Sequence, residues 1–354
     1  MSDRALAFHA NDWLGVFYVT GGGSPFLAEL LSTPGASKSV LEVNVPYAAQ
    51  ALTELLKGAP DQAASDVTAR QLAMAAYQRA KHLNPDGESL FGLGCTASLA
   101  TDRKKRGIHR AHWAIQTSDA TFGFSATYDS DRAQEERLLC DQLFASLNHL
   151  ALGHEIPEHV NVQTARPALD VTQLLEQAPA KVCTAKHDGR LLLPGSFNPL
   201  HDGHRQIMAC AEEHTGLPGA YEITVRNADK PAIDFVSLEE RLSGIADHPV
   251  WLTNTPTYIQ KAELFPGVTF AIGVDTIKRV GEVRFYEHRP DLMAAAFQKF
   301  AELECKFLVF GRVHEGNFTS LSDLALPAAL AALCEEVPES EFRLDISSSE
   351  LRNG

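Results

Sequence analysis

The sequence lacks the features that mark secreted and membrane-spanning proteins. Its six cysteines are widely spaced and include no CxxC pair, so it indicates neither a zinc site nor a disulfide framework. No apolar run approaches the roughly 18 residues that a membrane-spanning helix needs. The opening "MSDRALAFHANDWLG" has no basic leader followed by a long apolar core. We therefore expect no signal peptide and a reduced, cytoplasmic setting.

Positive charge is also scarce. The chain carries 31 Lys and Arg against 45 Asp and Glu, for a formal net charge of −14. Binding along a nucleic-acid backbone requires a basic surface, so we expect neither a nucleic-acid nor a membrane partner. Small anionic ligands remain candidates because backbone amides and a few cations can bind them. The oligomeric state stays open, with a homo-oligomer among the alternatives.

What the sequence does contain is a regular alternation of strands and helices. Apolar residues make up 45% of the 354 positions, enough for two domains with buried cores. Short apolar runs alternate with amphipathic segments in both halves, which predicts an α/β fold with parallel strands. The stretch 154–187 contains prolines and no clear period. We therefore predict domains at 1–153 and 188–354 joined by a linker.

Two helix starts are predicted from their cap residues. Thr68 precedes a segment with helical spacing of its apolar residues. Ser237 and Glu240 have the spacing of a capping box at the start of "SLEERLSGIA".

The most informative segment is "GSFNPLHDGH", residues 195–204, which follows the first predicted strand of the second half. Gly195 and Gly203 permit close approach of the backbone to a ligand, and a helix is expected to begin near Gly203. His201 and His204 add two neutral-to-cationic donors where the helix dipole favours an anion. The segment predicts a phosphate site suited to phosphoryl transfer. A metal site and a plain pair of surface histidines are the alternatives.

This segment also carries a resemblance to a known family. The pattern Gly-x-Phe-x-Pro-x-His-x-Gly-His, typical of the nucleotidylyltransferase superfamily, is matched at Gly195, Phe197, Pro199, His201, Gly203 and His204. The second signature of that superfamily, Ile-Ser-Ser-Thr-x-Ile-Arg, is similar to "ISSSELR" at 346–352. Because both motifs occur in the right order, the second half resembles this superfamily, which implies a Rossmann-like parallel sheet.

The resemblance implies roles for individual positions. His201 and His204 would bind the nucleotide phosphates and stabilise the transition state. Ser347 and Ser348 would lie at a helix N-terminus near the triphosphate, and Arg352 would neutralise it. The positions implied to bind nucleotide within the loop are Gly195, Ser196, Phe197, Asn198 and Gly203. Mg²⁺ would arrive with ATP, with no metal site built from the protein.

Three further stretches concern the acceptor. "FAIGVDTIKRV", which contains Asp275, and "TPTYIQKAELFPG" are similar to segments of nicotinate or nicotinamide mononucleotide adenylyltransferases. "DKPAIDFVSLEERL" also resembles a segment of phosphopantetheine adenylyltransferases, and its Lys230 is a candidate phosphate contact in either enzyme. We therefore expect adenylyl transfer from ATP to a small phosphorylated acceptor, most of all a pyridine mononucleotide. Phosphopantetheine or another phosphometabolite, CTP as donor, and a nucleotide sensor without turnover remain alternatives.

Three residues in this half have structural alternatives. Asp275 would serve equally as a helix N-cap after a strand. Trp251 is a candidate for stacking on a pyridine ring, although a core position is the commoner use of tryptophan. Arg312 follows a strand and could contact a phosphate or simply lie in an exposed loop.

The first half has a resemblance of its own. "VTGGGSPFLAELLSTPGASKSVLEVNVPY", residues 19–47, is similar to the nicotinamide-nucleotide amidase domain of competence-damage-inducible proteins. Tyr18 stands where that family has its nucleophilic serine, and Leu52 where it has a lysine. Because a hydroxyl nucleophile needs a nearby base, we expect a degenerate binding or scaffolding domain. Ser24 is a substitute nucleophile to test, and the loop Gly21–Gly23 still offers backbone amides to an anion.

Overall fold

The computed structural model describes residues 3–102, 107–175, 178–226, 231–314 and 317–343. These residues form two compact units. Unit 1 comprises Met1–Thr172 and Asp229–Glu239, and unit 2 comprises Gln173–Ala228 and Glu240–Gly354. Each unit is an α/β structure, as the alternation in the sequence predicts. Within the described ranges, no helix is long and apolar enough to cross a membrane.

Unit 1 is built on a six-stranded mixed sheet. Its strands are β1 (Leu14–Thr20), β2 (Val40–Asn44), β3 (Leu90–Ser98), β4 (His109–Gln116), β5 (Thr121–Tyr128) and β6 (Asn161–Ala165). They lie in the order β2-β1-β3-β4-β5-β6, with β1 parallel to β2 and β3 and the remaining pairs antiparallel. Nearly every residue of β1 is buried, because this strand lies between two parallel partners.

Helix α4 lies unusually close to this sheet. The helices of unit 1 are α1 (Asp3–His9), α2 (Ser24–Ser32), α3 (Ala49–Leu55), α4 (Asp66–Leu83), α5 (Arg132–Leu152) and α6 (Leu169–Thr172). A Cβ on Gly92 of β3 would stand 2.1 Å from the Tyr77 nitrogen, and one on Gly94 would stand 2.3 Å from the Ala73 nitrogen. The glycines of "LFGLGC" therefore allow α4 to pack backbone against strand. The helix is capped by Ser65, whose side chain accepts from the Thr68 amide, so the predicted start at Thr68 is one turn late.

Unit 2 is built on a seven-stranded sheet and a separate two-stranded hairpin. The sheet strands are β7 (Lys181–Cys183), β8 (Leu191–Pro194), β9 (Ala220–Thr224), β10 (Val250–Thr253), β11 (Thr269–Gly273), β12 (Lys306–Phe310) and β15 (Cys334–Val337), and the hairpin strands are β13 (Arg312–His314) and β14 (Asn317–Thr319). The sheet order is β15-β12-β11-β8-β9-β10-β7. All pairs are parallel except β10 with β7 at the edge.

This order has a switch point beside β8. The chain runs from β8 to β9 and β10 on one side and then returns to place β11, β12 and β15 on the other. Doubly wound sheets have this arrangement, and their ligands bind where neighbouring connections diverge, outside the carboxyl ends of the strands. In unit 2 that place lies between the ends of β8 and β11.

Among the described residues, six helices follow in the second half of the chain. They are α7 (Asp202–Thr215), α8 (Phe235–Ser243), α9 (Tyr258–Leu264), α10 (Val274–Val280), α11 (Pro290–Glu302) and α12 (Ala328–Ala331). In unit 2, an apolar core packs the sheet against α9, α10, α11 and α12. At its centre, Phe270 of β11 and Phe307 of β12 are fully buried, with ring centroids 5.7 Å apart.

The stretch 154–187 contributes a strand to each sheet. β6 pairs with β5 in unit 1, and β7 pairs with β10 in unit 2. Four of the five β6 residues are exposed, and β7 has only three residues. Edge strands this short or this exposed show no apolar alternation, which is why the sequence reads as a linker.

The segment before α8 belongs to unit 1 and is anchored there by a buried ion pair. The Arg70 Nε lies 3.1 Å from the Asp234 Oδ1, and both side chains are buried. The Asp234 carboxylate also accepts from the Ser237 amide and hydroxyl, and the Phe235 amide donates to the Thr121 hydroxyl. Asp234 is therefore the cap of α8, one turn ahead of the predicted capping box at Ser237 and Glu240.

Candidate functional site

The loop 195–201 leaves the carboxyl end of β8 at the switch point of unit 2. The Gly195 amide donates to the Glu222 carbonyl oxygen at 2.9 Å, which continues the pairing of β8 with β9 by one residue. Phe197 is fully buried and has a positive φ of 43°. A Cβ on Gly195 would stand 2.6 Å from the Phe197 ring. Glycine is therefore required at 195 because the Phe197 ring folds back over it.

The two histidines of the signature lie together at the start of α7. His201 is the N-cap and His204 is the third helical residue. Their rings are stacked, with centroids 3.7 Å apart and an interplanar angle of 27°. The edge of Phe197 packs on the His204 ring at 5.0 Å. The structure thus brings the predicted pair into one cluster on a helix of fourteen residues.

Both imidazoles are neutral near pH 7. Burial lowers the pKa of His204 to about 4, and the neighbouring His201 adds to the effect. Burial also lowers the pKa of His201, against an opposing contribution from Asp202. The His204 Nδ1 accepts from the His201 backbone amide at 3.3 Å, so the neutral ring carries its hydrogen on Nε2. The site therefore offers polar N–H donors, which refines the expectation of neutral-to-cationic donors.

The remaining predicted residues of this segment differ in exposure. Ser196 and Asn198 are exposed, and Gly203 is buried in the first turn of α7. The Ser196 carbonyl oxygen accepts from the Arg241 guanidinium at 3.1 Å. Sequence reasoning missed Arg241 as a residue of this site. Its only signal was its place in "SLEERL", within the stretch quoted for Lys230.

Two further predicted residues meet beside this loop in the fold. Asp275 follows β11 and Arg312 follows β12, the neighbouring strand. The Arg312 Nη1 lies 2.6 Å from the Asp275 Oδ2, and both side chains are partly or largely exposed. The N-cap of α10 is Gly273, so the alternative of Asp275 as an N-cap is wrong. Because β11 borders β8, this ion pair follows the strand on the far side of the switch point.

Trp251 is half-buried and packs against the core of unit 2, which agrees more with its structural alternative than with ligand stacking. Its ring packs edge-on against Phe265 with centroids 5.1 Å apart, and its indole N–H donates to the His187 Nδ1 at 3.1 Å. The ring is thus committed to neighbours within unit 2.

Four predicted site residues lie outside the described residues: Lys230, Ser347, Ser348 and Arg352. Across the part of the chain that the structure does describe, no group of three or more His, Cys, Asp or Glu side chains could hold a metal ion.

A separate cavity of about 540 Å³ lies at the amino ends of the unit 2 strands, opposite the carboxyl ends from which the loop 195–201 leaves. It is lined by residues just before β8, β9 and β10, among them His187, Gly219 and His248. Some of its polar groups are engaged with one another. The Gly219 amide donates to the Glu212 carboxylate at 2.8 Å, and His248 lies 3.6 Å from that same carboxylate. The cavity is therefore distinct from the loop at the carboxyl ends.

In unit 1, the positions that would carry amidase chemistry are buried and apolar or paired. Tyr18 is 5% exposed, and its hydroxyl donates to Glu42 at 3.4 Å. Burial raises the pKa of Tyr18 to about 12, and Glu42 adds to the shift. Leu52 is 4% exposed and has no proton to exchange. A buried phenol beside a carboxylate does not act as a nucleophile at neutral pH.

The glycine loop of unit 1, Gly21–Gly23, binds a carboxylate of the protein itself. The Gly23 amide, at the start of α2, donates to the Glu136 carboxylate at 2.7 Å. The same carboxylate pairs with Arg132 at 2.6 Å, and Arg132 donates to the Gly21 carbonyl oxygen at 3.2 Å. The backbone donor that the sequence assigned to a phosphate is thus already bonded to Glu136.

Comparison with known proteins gives partial likeness only. No protein-family model and no curated protein matches this chain. Among solved structures, a competence-damaged protein superfamily protein from Escherichia coli is 16% identical, with 42% of this chain and 93% of that chain covered and a TM-score of 0.34. A competence/damage-inducible protein from Agrobacterium tumefaciens is 18% identical, with coverages of 42% and 92% and a TM-score of 0.33. These are proteins of the family that residues 19–47 resemble in sequence.

Proposed function

We propose that unit 2 is a nucleotidylyltransferase that transfers an adenylyl group from ATP to a small phosphorylated acceptor and releases pyrophosphate. One observation carries the proposal. The segment with the superfamily signature, 195–204, lies at the carboxyl end of β8, beside the switch point of a doubly wound sheet. Its two histidines stack at the start of α7. This is where such sheets bind ligands and where a helix start favours phosphate.

The proposed chemistry is direct displacement at the α-phosphorus. An oxygen of the acceptor phosphate forms a new bond to the α-phosphorus, and the bond from that phosphorus to the bridging oxygen of the β-phosphate breaks. Pyrophosphate leaves with the electron pair. The His204 Nε2–H and the His201 ring donate to phosphate oxygens as charge develops on them. Mg²⁺ bound to the triphosphate neutralises charge, and no covalent enzyme intermediate is needed.

Several charged residues would complete the site in this proposal. Arg312 follows the strand next but one to the loop and pairs with the exposed Asp275, so a phosphate can compete for its guanidinium. Arg241 orders the loop through the Ser196 carbonyl oxygen. Lys230, Ser347, Ser348 and Arg352 keep the phosphate-binding roles implied by the resemblance of their motifs.

For the acceptor we propose nicotinate or nicotinamide mononucleotide. The proposal is supported by the Gly-x-Asp segment at Asp275 and by the similarity of "TPTYIQKAELFPG" to the same enzymes. The first half of the chain resembles an amidase domain for pyridine mononucleotides, which makes a shared ligand chemistry coherent. Unit 1 itself we propose to be inactive as an amidase, because Tyr18 and Leu52 replace the catalytic pair.

The test is a pyrophosphate-release screen of the purified full chain. ATP and CTP are each crossed with nicotinate mononucleotide, nicotinamide mononucleotide, phosphopantetheine and other phosphorylated acceptors in the presence of Mg²⁺. We expect release with ATP and a pyridine mononucleotide, with the dinucleotide as second product. Release with another pair would keep the reaction and change the acceptor or donor. Binding of ATP without release from any pair would contradict the enzyme and favour a sensor.

A further inference from the structure

A buried ion pair links α9 to β9. Strand β9 is also hydrogen-bonded to Gly195, the first residue of the loop 195–201, which is called the phosphate loop below after its proposed role. The Lys261 Nζ of α9 stands 2.5 Å from the Glu222 Oε1 of β9. Lys261 is 4% exposed and Glu222 is 1% exposed. The Thr253 hydroxyl of β10 donates to the same Glu222 oxygen at 2.6 Å, and the Thr255 hydroxyl donates to the Thr253 hydroxyl at 3.2 Å. One carboxylate thus joins β9, β10 and α9 within unit 2.

The same glutamate holds the first residue of the loop through its main chain. The Glu222 carbonyl oxygen accepts from the Gly195 amide at 2.9 Å, and Glu222 lies opposite Pro194 in the pairing of β8 with β9. Any rotation of the Glu222 backbone therefore moves the point at which the loop leaves the sheet. Lys261 and Thr253 restrain that backbone by holding the side chain of the residue.

Stability alone does not explain this pair. Taking two charges out of water is costly, and replacing a buried pair by apolar side chains of similar size is often neutral or stabilising. The surroundings of the pair are partly apolar, because Trp251 is paired with Glu222 in the register of β10 with β9 and packs on Phe265. What a charged pair adds over apolar packing is a single defined geometry.

We propose that Glu222 and Lys261 are positioning residues that fix Gly195 and thereby the register of the phosphate loop. The catalytic consequence rests on the proposed nucleotidyl transfer, whereas the effect on the loop does not. A loop displaced by about 1 Å would still contact the triphosphate but would misplace the histidines for the transition state.

The first test needs no substrate. Hydrogen exchange is followed by mass spectrometry in the peptide 191–200 of the full chain and of the double variant Glu222→Met, Lys261→Met. We expect the Gly195 amide to exchange about 10-fold faster in the variant, with Tm unchanged or raised. The peptide 306–310, strand β12 of the same unit, is the internal control and should not change. Unchanged exchange in 191–200 of a folded variant would overturn the proposal, whatever reaction the protein catalyses.

The second test separates positioning from binding. With the ATP and acceptor pair that releases pyrophosphate, kcat of the double variant should fall about 10- to 100-fold while KM for ATP changes little. The conservative variant Lys261→Arg keeps the positive charge, so its kcat should be higher than that of the double variant. Equal kcat in wild type and variant would overturn the catalytic part of the proposal. Absence of turnover in the wild type would instead contradict the proposed function and leave the exchange result to decide the positioning role.

A milder variant covers the case in which the double variant does not fold. Thr253→Val keeps the shape of the side chain and removes only the hydroxyl that donates to Glu222. Thr253→Val should also accelerate exchange of the Gly195 amide, by a smaller factor than the double variant does. No acceleration in folded Thr253→Val would contradict the proposal.

Discussion

At the scale of single residues, the stacked histidines are the most telling feature of unit 2. A solvated pair of histidines would titrate near pH 6.5, but burial lowers the pKa of both rings. Burial favours the neutral ring of His204, and its remaining N–H is most stable when it meets an acceptor. A triphosphate supplies acceptors, and its negative charge would raise the pKa of the rings it contacts. In the proposed function, the protonation of the pair would therefore respond to a bound anion.

The first residue-scale prediction is loss of turnover in His204→Ala. Removing a donor that acts on developing charge should lower kcat by about 10²- to 10³-fold, with the fold retained. The matched control is His248→Ala, because His248 packs on Tyr221 at 5.5 Å but lines the cavity at the amino ends of the strands. Pyrophosphate release and circular dichroism are measured on both proteins. Near-wild-type kcat in both His204→Ala and His201→Ala would show that this loop does not have the assigned role.

At the scale of elements, α7 begins beside the loop 195–201, and its last turn contacts β15 and Glu341, near the last described residues. His214 in that turn lies 2.9 Å from Glu335 of β15 and 3.5 Å from Glu341. The hydrogen bond to Glu335 raises the pKa of His214, partly opposed by burial. The protonated ring therefore joins α7 to β15 and to the residues that follow it.

This contact predicts a pH-dependent contribution to stability. Because the folded-state pKa of His214 is raised, the contribution is fully present below the unfolded value of about 6.5 and is lost as pH rises through the folded value. His214→Gln should therefore lower the free energy of unfolding by about 0.5 kcal/mol on the acid side, with a smaller difference at higher pH. Urea unfolding at several pH values measures this, with His82→Gln at an exposed position of α4 as control. A constant difference across pH would contradict the assignment.

Sequence patterns predicted most of the elements because their signals are local. An apolar run, two glycines and the histidine-containing segment 195–204 predict a strand, a loop and a helix around residues 191–215. The structure has a strand and a helix at these positions. Cap residues were harder to assign. Ser65 and Asp234 start their helices one turn before Thr68 and Ser237, because several residues in each stretch are competent caps.

Contacts between distant residues could not be predicted in this way. Lys261 and Glu222 are 39 positions apart, and Gly23 and Glu136 are 113 positions apart. Nothing in the local spacing of a lone buried glutamate indicates its partner, because periodicity reports only which face of an element is buried. Only the second of these contacts shows that a backbone amide at a helix start is already bonded to a carboxylate of the protein.

At the scale of the whole molecule, the two α/β units differ in what lies at the helix start that follows their glycine loop. In unit 2, two stacked histidines with lowered pKa lie beside the loop 195–201. Unit 1 has filled the corresponding helix start with the Glu136 carboxylate. In the proposed function, a protein with a formal net charge of −14 would attract a nucleotide through local amides and paired cations. Anion binding is therefore expected where those donors are free of internal carboxylates.

The last prediction is that the intact protein does not release ammonia from nicotinamide mononucleotide. Tyr18 is buried with its pKa raised to about 12, and Leu52 cannot act as a base. Glu136 also repels a phosphate from the Gly21–Gly23 loop while it occupies the Gly23 amide. Ammonia is assayed over hours with the purified full chain, and Ser24→Ala is the matched control because Ser24 is the exposed hydroxyl next to the loop. Steady release by the wild type that Ser24→Ala abolishes would show a substitute nucleophile at work, and the protein would then be a bifunctional enzyme.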